Sequence, residues 1–280
     1  MLFVPSAAEF TWIDSKGDGW QPTAPTQVTA AQNAYGSYVS LIAGSLVTSD
    51  VVGFWLIVSN GSTAAAARDT LVTVGLDQTG GTSFSDFVTD IAVPSSSNYA
   101  NPDTGIWYWF PVRIPAGASV GVKASVNNAV PGSCRARVVL ACKPKPPEAC
   151  KVGSYVVTYG SVPSSSRGTS ITAGTASEGA WTLVGTVAAG DRPWFWQVGL
   201  GINTTSMGDG LAHIDLGIGD ASNKRVVIQN QFVMTTSNEL VSAIYIGGGA
   251  VAIPSDGIYV RVQATNSFSG SLSAIAHGVC

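Results

Sequence analysis

The stretch "FPVRIPAGASVGVKASV", Phe110 to Val126, leaves an aromatic run through an Ile-Pro-Ala-Gly corner and enters a segment that alternates at every second residue. Val120, Val122, Ala124 and Val126 fall on one side of it, with Lys123 and Ser125 on the other. A period of two marks a half-buried β-strand, because successive Cβ atoms of a strand point to opposite faces. The device recurs. "IPSDGIYVRVQAT" opens at Ile253, and there Ile258, Val260, Val262 and Ala264 lie opposite Tyr259, Arg261, Gln263 and Thr265. Pro115 and Pro254 cannot donate to a strand ladder, and the glycine following each supplies a free φ for the turn. Both are strand-to-strand corners and carry no chemistry of their own.

The repetition extends along the chain. "GSYVSLIAGSLVTSD" from Gly36 matches "GAWTLVGTVAAGDRP" from Gly179, and "GFWLIVSNG" from Gly53 matches "PWFWQVGLG" from Pro193. "LVTVGLD" from Leu71 lies opposite "HIDLGIG" from His213, and "GSCRARVVLAC" from Gly132 pairs with "GSLSAIAHGVC" from Gly270. The offsets stay between 138 and 143, which predicts a tandem duplication of one unit of about 130 residues. Frequent turn signals ("SNGS", "DQTGG", "NNAVPGS") and the absence of a sustained 3.6 period predict two antiparallel β-sandwiches of jelly-roll type. "CKPKPPEAC" separates them, and its prolines favour an extended spacer. The expected organisation is an N-terminal arm over 1–24, a first sandwich over 25–142, a Pro-rich linker over 143–150 and a second sandwich over 151–280.

Charged residues form 11% of the chain, against roughly 25% in ordinary globular proteins. So few charges, with many small side chains, suit surfaces that meet other protein surfaces. The formal net charge of -3 gives no electrostatic attraction for nucleic acid or anionic lipid, and no apolar run reaches membrane-spanning length. "MLFVPSAAEF" lacks a basic n-region, so synthesis in the cytoplasm without a signal peptide is expected.

Catalytic schemes find little support. The chain has two histidines. His213 and Asp215, at i and i+2, share a strand face and could form half of a metal or acid-base site, but their counterparts in the other repeat are Leu71 and Thr73. His277 sits among small residues and reads as structural. Asp14, Asp18 and Asp209 lie in Gly-rich loops without the alternating ligands and closing glutamate of a calcium loop. Glu178, Asp191 and Glu239 would serve glycoside hydrolysis only by converging in space. No cofactor, metal or catalytic residue is expected.

The aromatics are a stronger signal. Trp107, Tyr108 and Trp109 form one cluster and Trp194, Phe195 and Trp196 another; alternation projects some of these rings away from a core, toward a protein interface or a sugar. Trp107, Trp109, Trp194 and Trp196 are therefore candidate interface residues, as are Phe3, Phe10, Trp12 and Trp20 of an arm expected to order on a neighbour. Of the four cysteines, Cys134 and Cys142 stand about 26 Å apart on an extended strand, too far for a mutual disulfide. Cys134, Cys142, Cys150 and Cys280 remain candidates for cross-links, through Cys142 with Cys150 or between subunits, against the alternative of reduced buried thiols.

At "GFWLIV", "ARDTLVTVGLD" and "FPVRIPAGASVGVKAS" the chain resembles a family of tailed-bacteriophage virion proteins, in which an "ARDTLVDIG"-like strand precedes a "FPIRIPAGTRI"-like corner. Arg68 to Gly75 and Phe110 to Val122 carry the likeness, which covers most of the first repeat and fades in the second. It implies a non-enzymatic structural protein of the head, neck, collar or tail, located in the virion, with copies of itself and other virion proteins as partners. Such a particle, released by lysis into oxidising surroundings, also accommodates four cysteines on a cytoplasmically made chain. The alternative is a carbohydrate-binding receptor-recognition module on a fibre or spike, with a host surface glycan as ligand.

Overall fold

A computed structural model describes residues 11–15, 26–60, 70–93, 106–126, 132–142, 151–160, 168–202, 210–236, 239–242, 246–248, 250–264 and 272–280. Among them the regular structure is nineteen strands and a 3-10 turn at Gly44–Leu46, so the all-β expectation holds. The first half carries β1 (Thr11–Asp14), β2 (Thr26–Gln32), β3 (Val39–Ile42), β4 (Val51–Asn60), β5 (Thr70–Asp77), β6 (Ser85–Val93), β7 (Ile106–Phe110), β8 (Ser119–Val126) and β9 (Gly132–Cys142). The second carries β10 (Val156–Tyr159), β11 (Thr169–Ile171), β12 (Thr182–Thr186), β13 (Phe195–Ile202), β14 (Gly210–Gly219), β15 (Lys224–Thr236), β16 (Glu239–Ser242), β17 (Ile246–Gly248), β18 (Gly257–Ala264) and β19 (Leu272–Val279).

The first half forms one sheet ordered β6-β5-β8-β2-β9-β4-β7, with β1 added to β9 and β3 to β8. It curls on itself, so the alternating apolar sets predicted from sequence meet inside. Val120, Val122 and Ala124 of β8 are fully buried, together with Phe54, Leu56, Tyr108, Phe110 and Leu140. The second half forms two sheets, β10-β19-β13-β17 with β11 on β19, and β12-β18-β14-β15-β16. Their inner faces enclose Trp196, Leu216, Val260, Val262 and Ala276.

The pairing order is the same in both halves. β3, β8, β5 and β6 pair in the succession of β12, β18, β14 and β15, while β1, β9, β4 and β7 pair in that of β10, β19, β13 and β17. The parallel contact of β2 with β8 has its counterpart in a parallel bridge from Gly174 to Gln263. Even irregularities repeat. β3 slips register between Ser40 and Ile42 against β8, and β12 between Leu183 and Gly185 against β18. The β5–β6 and β14–β15 pairs both bulge, where Asp90 and Asn230 adopt left-handed φ values of 56° and 51°. β16 has no partner in this comparison among the described residues.

The corners behave as expected in all but one detail. Gly117 takes φ 83° and donates to Val47 O at 2.7 Å. In the second corner the left-handed residue is Ser255, at φ 74°, donating to Val187 O at 3.0 Å, rather than the glycine two positions on. The insertion that lengthens "IPAG" to "IPSDG" moves the tight position onto serine. A second difference concerns the N-terminal arm: Thr11–Asp14 pairs with β9 of its own chain, so these residues belong to the first sheet. The remainder of the arm, residues 1–10 and 16–24, and the linker 143–150 lie outside the described residues.

β6 and β7 are the ends of the first sheet, and the second half covers them. The outward face of β10, β19 and β13 lies against them, so that Phe195 and Val279 are buried in the core of the first half. Ile275 packs with Leu71 and Ala92 in a further small cluster spanning both halves. Gly153 N donates to Pro111 O at 2.8 Å and Gly153 O accepts from Arg113 N at 2.9 Å. The two halves therefore share apolar interior and are more than beads on a tether.

Two measurements check this sharing. Phe195→Ala, a cavity change in the second half, is expected to cost about 3–5 kcal/mol and to lower one common melting transition. Residues 1–142 expressed alone are expected to expose the β6 and β7 edges and aggregate. Two separate calorimetric transitions in the full chain, or a soluble, cooperatively melting fragment, would show that each half completes its own core.

Candidate assembly surface

The outward face of the β10-β19-β13 sheet is an interface already occupied. On it Gln197 of β13 stands directly opposite His277 of β19, and both side chains are sealed from solvent. The Gln197 side-chain amide donates to Trp109 O, and His277 Nε2 lies 3.0 Å from Thr89 O. A carbonyl only accepts, so Nε2 carries the proton of the neutral ring. Thr158 Oγ1 donates to Thr89 O at 3.1 Å. These side chains satisfy backbone carbonyls of β6 and β7 that would otherwise stand open at a sheet edge. Gly199 lets the strands close: a Cβ there would come within 3.1 Å of the Ala92 Cβ.

The equivalent outward face of the first half, on β1, β9, β4 and β7, is paved with indoles. Trp55 and Trp109 are paired across β4 and β7, with ring centroids 5.2 Å apart, and Trp107 meets Trp55 edge-on at 6.0 Å. Gly53 leaves room for the pavement, since a Cβ there would fall 2.4 Å from the Trp109 ring. Trp109 is 9% exposed, Trp107 is 40% exposed, and Trp12 and Trp55 are half-buried. Ile57 and Val139 lie buried between them, and the one ion pair of the patch, Arg137 with Asp14, is two-pronged and nearly sealed. The face is aromatic, with Arg135 of β9 as a further charge on the same side of that strand.

A second feature repeats on the outward faces of the other two strand sets. The Tyr38 ring lies where a Cβ on Gly75 would sit, at 2.5 Å, and Lys123 Nζ stands 4.7 Å from its centre. In the second half Trp181 covers Gly217, with a Cβ contact of 3.0 Å, and the Arg261 guanidinium lies 4.4 Å from its ring. Each glycine makes space for a ring, and each ring holds a cation. Lys123 then pairs with Asp86 at 2.6 Å, and Arg261 with Asp215 at 2.7 Å and with Glu178.

This settles the place of the residues singled out by sequence. Asp215 is buried, bound to Arg261, and accepts from Asn230 N at 2.6 Å, so it holds the bulge in the way Thr73 Oγ1 holds Asp90 N at 3.3 Å. It is a structural acid, and His213 beside it is an exposed strand residue. Glu178 belongs to that Arg261 pair, whereas Asp191 accepts from Tyr155 at 2.8 Å. The Glu239 side chain, Asp18 and Asp209 lie outside the described residues, and no group of three metal-ligating side chains occurs among those described. A groove of about 740 Å³ runs past Asp77, Asp86, Arg113 and Ser154. Its charges are committed: Asp86 to Lys123 and Tyr38, Arg113 to Asp50, and Asp77 to Thr79 and Ser83.

Two expected interface residues are corrected. Trp196 is fully buried in the second core, its indole N–H donating to Ala250 O at 2.9 Å, and Trp109 is mostly covered by Trp55 and Gly53. Trp194 is half-buried against the first core with Lys151 Nζ 4.6 Å from its ring, and Trp12 flanks the indole pavement from β1. Phe3, Phe10 and Trp20 lie outside the described residues. Cys134, Cys142 and Cys280 are free thiols. Burial pushes the Cys134 thiol up to about 12 and that of Cys142 up to about 11, and both point into the first core, which leaves them no route to a neighbouring chain. Cys280 is half-buried, and Cys150 lies outside the described residues. Sequence reasoning missed Trp55, Gln197 and the role of His277; Trp55 was visible as the one ring of "GFWLIV" on the outward parity.

The architecture is that of an all-β protein of curled antiparallel sheets with two cores. Among known proteins, no family model matches and no curated protein matches. Solved structures to which this chain is similar include the STIV MCP (13% identical, over 91% of this chain and 93% of that one, TM-score 0.34). Others are a chain of Sulfolobus Turreted Icosahedral Virus (12% identical, over 97% and 90%, TM-score 0.38) and N-glycanase F (11% identical, over 92% and 96%, TM-score 0.37). TM-scores this low carry no functional weight.

His277 makes the junction sensitive to acid. Burial pulls its pKa from the ordinary 6.5 down to about 4, against a small upward pull from the Thr89 carbonyl and Asp90. Between those two values the unfolded chain binds a proton that the folded one refuses, so stability is fully present above 6.5 and falls as pH drops toward 4. The loss amounts to about 3 kcal/mol over that window. Denaturant titrations at pH 7 and 4.5 should show it in the native chain, and His277→Leu should flatten it. An equal pH slope in both proteins would place the acid sensitivity elsewhere.

Proposed function

We propose that this chain is a non-enzymatic structural component of a virion, decorating or sheathing the head, neck or tail of a tailed bacteriophage through subunit contacts. One observation carries the reading: the outward face of one sheet is already spent as an interface between the halves, and its counterpart in the other half is a tryptophan pavement. A surface of this composition is suited to protein contact. The matching pairing order, bulges and corners support a tandem duplication into units at 25–142 and 151–280 joined by the proline-bearing linker, with β1 added to the first. Its partners would be copies of itself and other virion proteins, and any cross-link would run through Cys280 or Cys150, since Cys134 and Cys142 are enclosed.

Exposure of Trp107 beside Trp55 favours a second reading, a sugar-stacking module for a host surface glycan on a fibre or spike. The two readings separate experimentally. Purified particles, banded in a density gradient and imaged with antibody against this chain, should carry the label at a fixed position on the particle. Recovery of all the chain in the particle-free fraction would overturn the structural assignment. Glycan-array binding that is lost in Trp107→Ala, with the label at a fibre tip, would establish the second reading instead.

A further inference from the structure

The side chains that close the junction between the halves leave two buried atoms bare. Thr158, His277 and Gln197 stand side by side across β10, β19 and β13, at registered positions on one face. Their donors go to the edges they cover: Thr158 Oγ1 and His277 Nε2 to Thr89 O, and the Gln197 amide nitrogen to Trp109 O. The remaining atoms of the two larger groups, Gln197 Oε1 and His277 Nδ1, are sealed from solvent and find no hydrogen-bond partner among the described residues.

Neither atom can be turned into a donor. Exchanging oxygen and nitrogen of the Gln197 amide would set an oxygen against the Trp109 carbonyl. Moving the imidazole proton to Nδ1 would set a bare Nε2 against the Thr89 carbonyl 3.0 Å away. Both free atoms are therefore acceptors, and two acceptors cannot satisfy one another. An added proton on Nδ1 would bridge them, but burial draws the His277 pKa down to about 4 and keeps the ring neutral at neutral pH. What the pair requires is an uncharged species that donates twice.

The setting limits its size. Side chains directly opposite on antiparallel strands stand about 4.5–5.5 Å apart at Cβ, a gap that a single water spans with two bonds of about 2.8 Å. Along the strands the pair is flanked by Phe195 with Val279 and by Gly199 with Ile275, and the Phe110 ring meets the imidazole edge-on at 5.9 Å. Three of the four flanking positions are apolar side chains and the fourth, Gly199, brings none, so no larger polar ligand finds further partners there.

We infer that the junction holds one buried water, which donates to Gln197 Oε1 and to His277 Nδ1. Buried waters of this kind typically make two to four hydrogen bonds to polar groups that otherwise lack them, and belong to the fold as side chains do. This one completes the polar row. Gln197 and His277 can then answer the open carbonyls of β6 and β7 without leaving an acceptor bare, and the two halves close around the water instead of dry. The site stands whatever the chain assembles into.

Two measurements on the full native chain test it. A crystal structure at near-atomic resolution should show a density peak about 2.7–3.2 Å from both atoms. In solution at neutral pH, the His277 Hε1 proton, on the carbon beside Nδ1, should cross-relax with water, with laboratory-frame and rotating-frame effects of opposite sign, as a long-held water gives. A well-ordered map with no peak there, or with amide and imidazole bonded directly to each other, overturns the inference. So does a peak at the roughly 2.0–2.2 Å of a metal–ligand bond, which would make the pair ligands of a cation. A His277 Hε1 signal with no water contact, or with the same-sign effects of passing solvent, overturns it as well.

Discussion

A sheet with two open ends has rows of backbone N–H and C=O groups that must be paired, solvated or hidden. In the first half those ends are β6 and β7, and they are hidden by a face of the second half rather than by closure of the barrel. Much else follows from this single need. It explains why β13 carries a glutamine and β19 a histidine in otherwise apolar runs: each reaches an edge carbonyl, Gln197 that of Trp109 and His277 that of Thr89. It also explains why a histidine is tolerated in a position that holds it neutral, since Nε2–H is the donor that the Thr89 carbonyl requires. Phe195 and Val279 then complete a core belonging to the other half.

Much of this architecture was legible in the sequence because it rests on parity. Val120, Val122, Ala124 and Val126, and their counterparts from Ile258 to Ala264, fall inward as period two demands. The matched segments occupy matched strands because they share corner and bulge chemistry, which is local. Glycines showed where to look without saying why: Gly75 and Gly217 lie under Tyr38 and Trp181, rings that stand just before β3 and β12, and neither stacking is encoded within the strand that bears the glycine.

What was not legible depends on which outward face meets another surface. Alternation distinguishes inside from outside but cannot tell an outward face that meets water from one that meets the other half. Trp196 and Phe195 illustrate the point. Adjacent in sequence, one fills the second core and the other the first, so a cluster that resembles a surface platform is divided between two interiors. For the same reason His277 reads as an unremarkable residue among small neighbours until Thr89 and Phe110 are brought onto it from a distance. β1 escaped notice because a four-residue strand has too few residues to establish a period.

The division of polar work between the halves bears on how such a chain could assemble. Where the junction is permanent, buried donors are affordable, because ordering and desolvation are met once, during folding. On the corresponding face of the first half the outward residues of β4 and β9 include Trp55, Ile57 and Val139, with Trp107 beside them. Apolar and aromatic groups need no exact partner atom and lose less when they are left waiting in water than an unpaired buried amide would. A face that must be stable both before and after it meets a neighbour is therefore better built from rings, and a face that is never uncovered can use amide and imidazole. Gln197 and His277 on the covered face, against Trp55, Ile57 and Val139 on the outward face of β4 and β9, show that difference in side-chain choice.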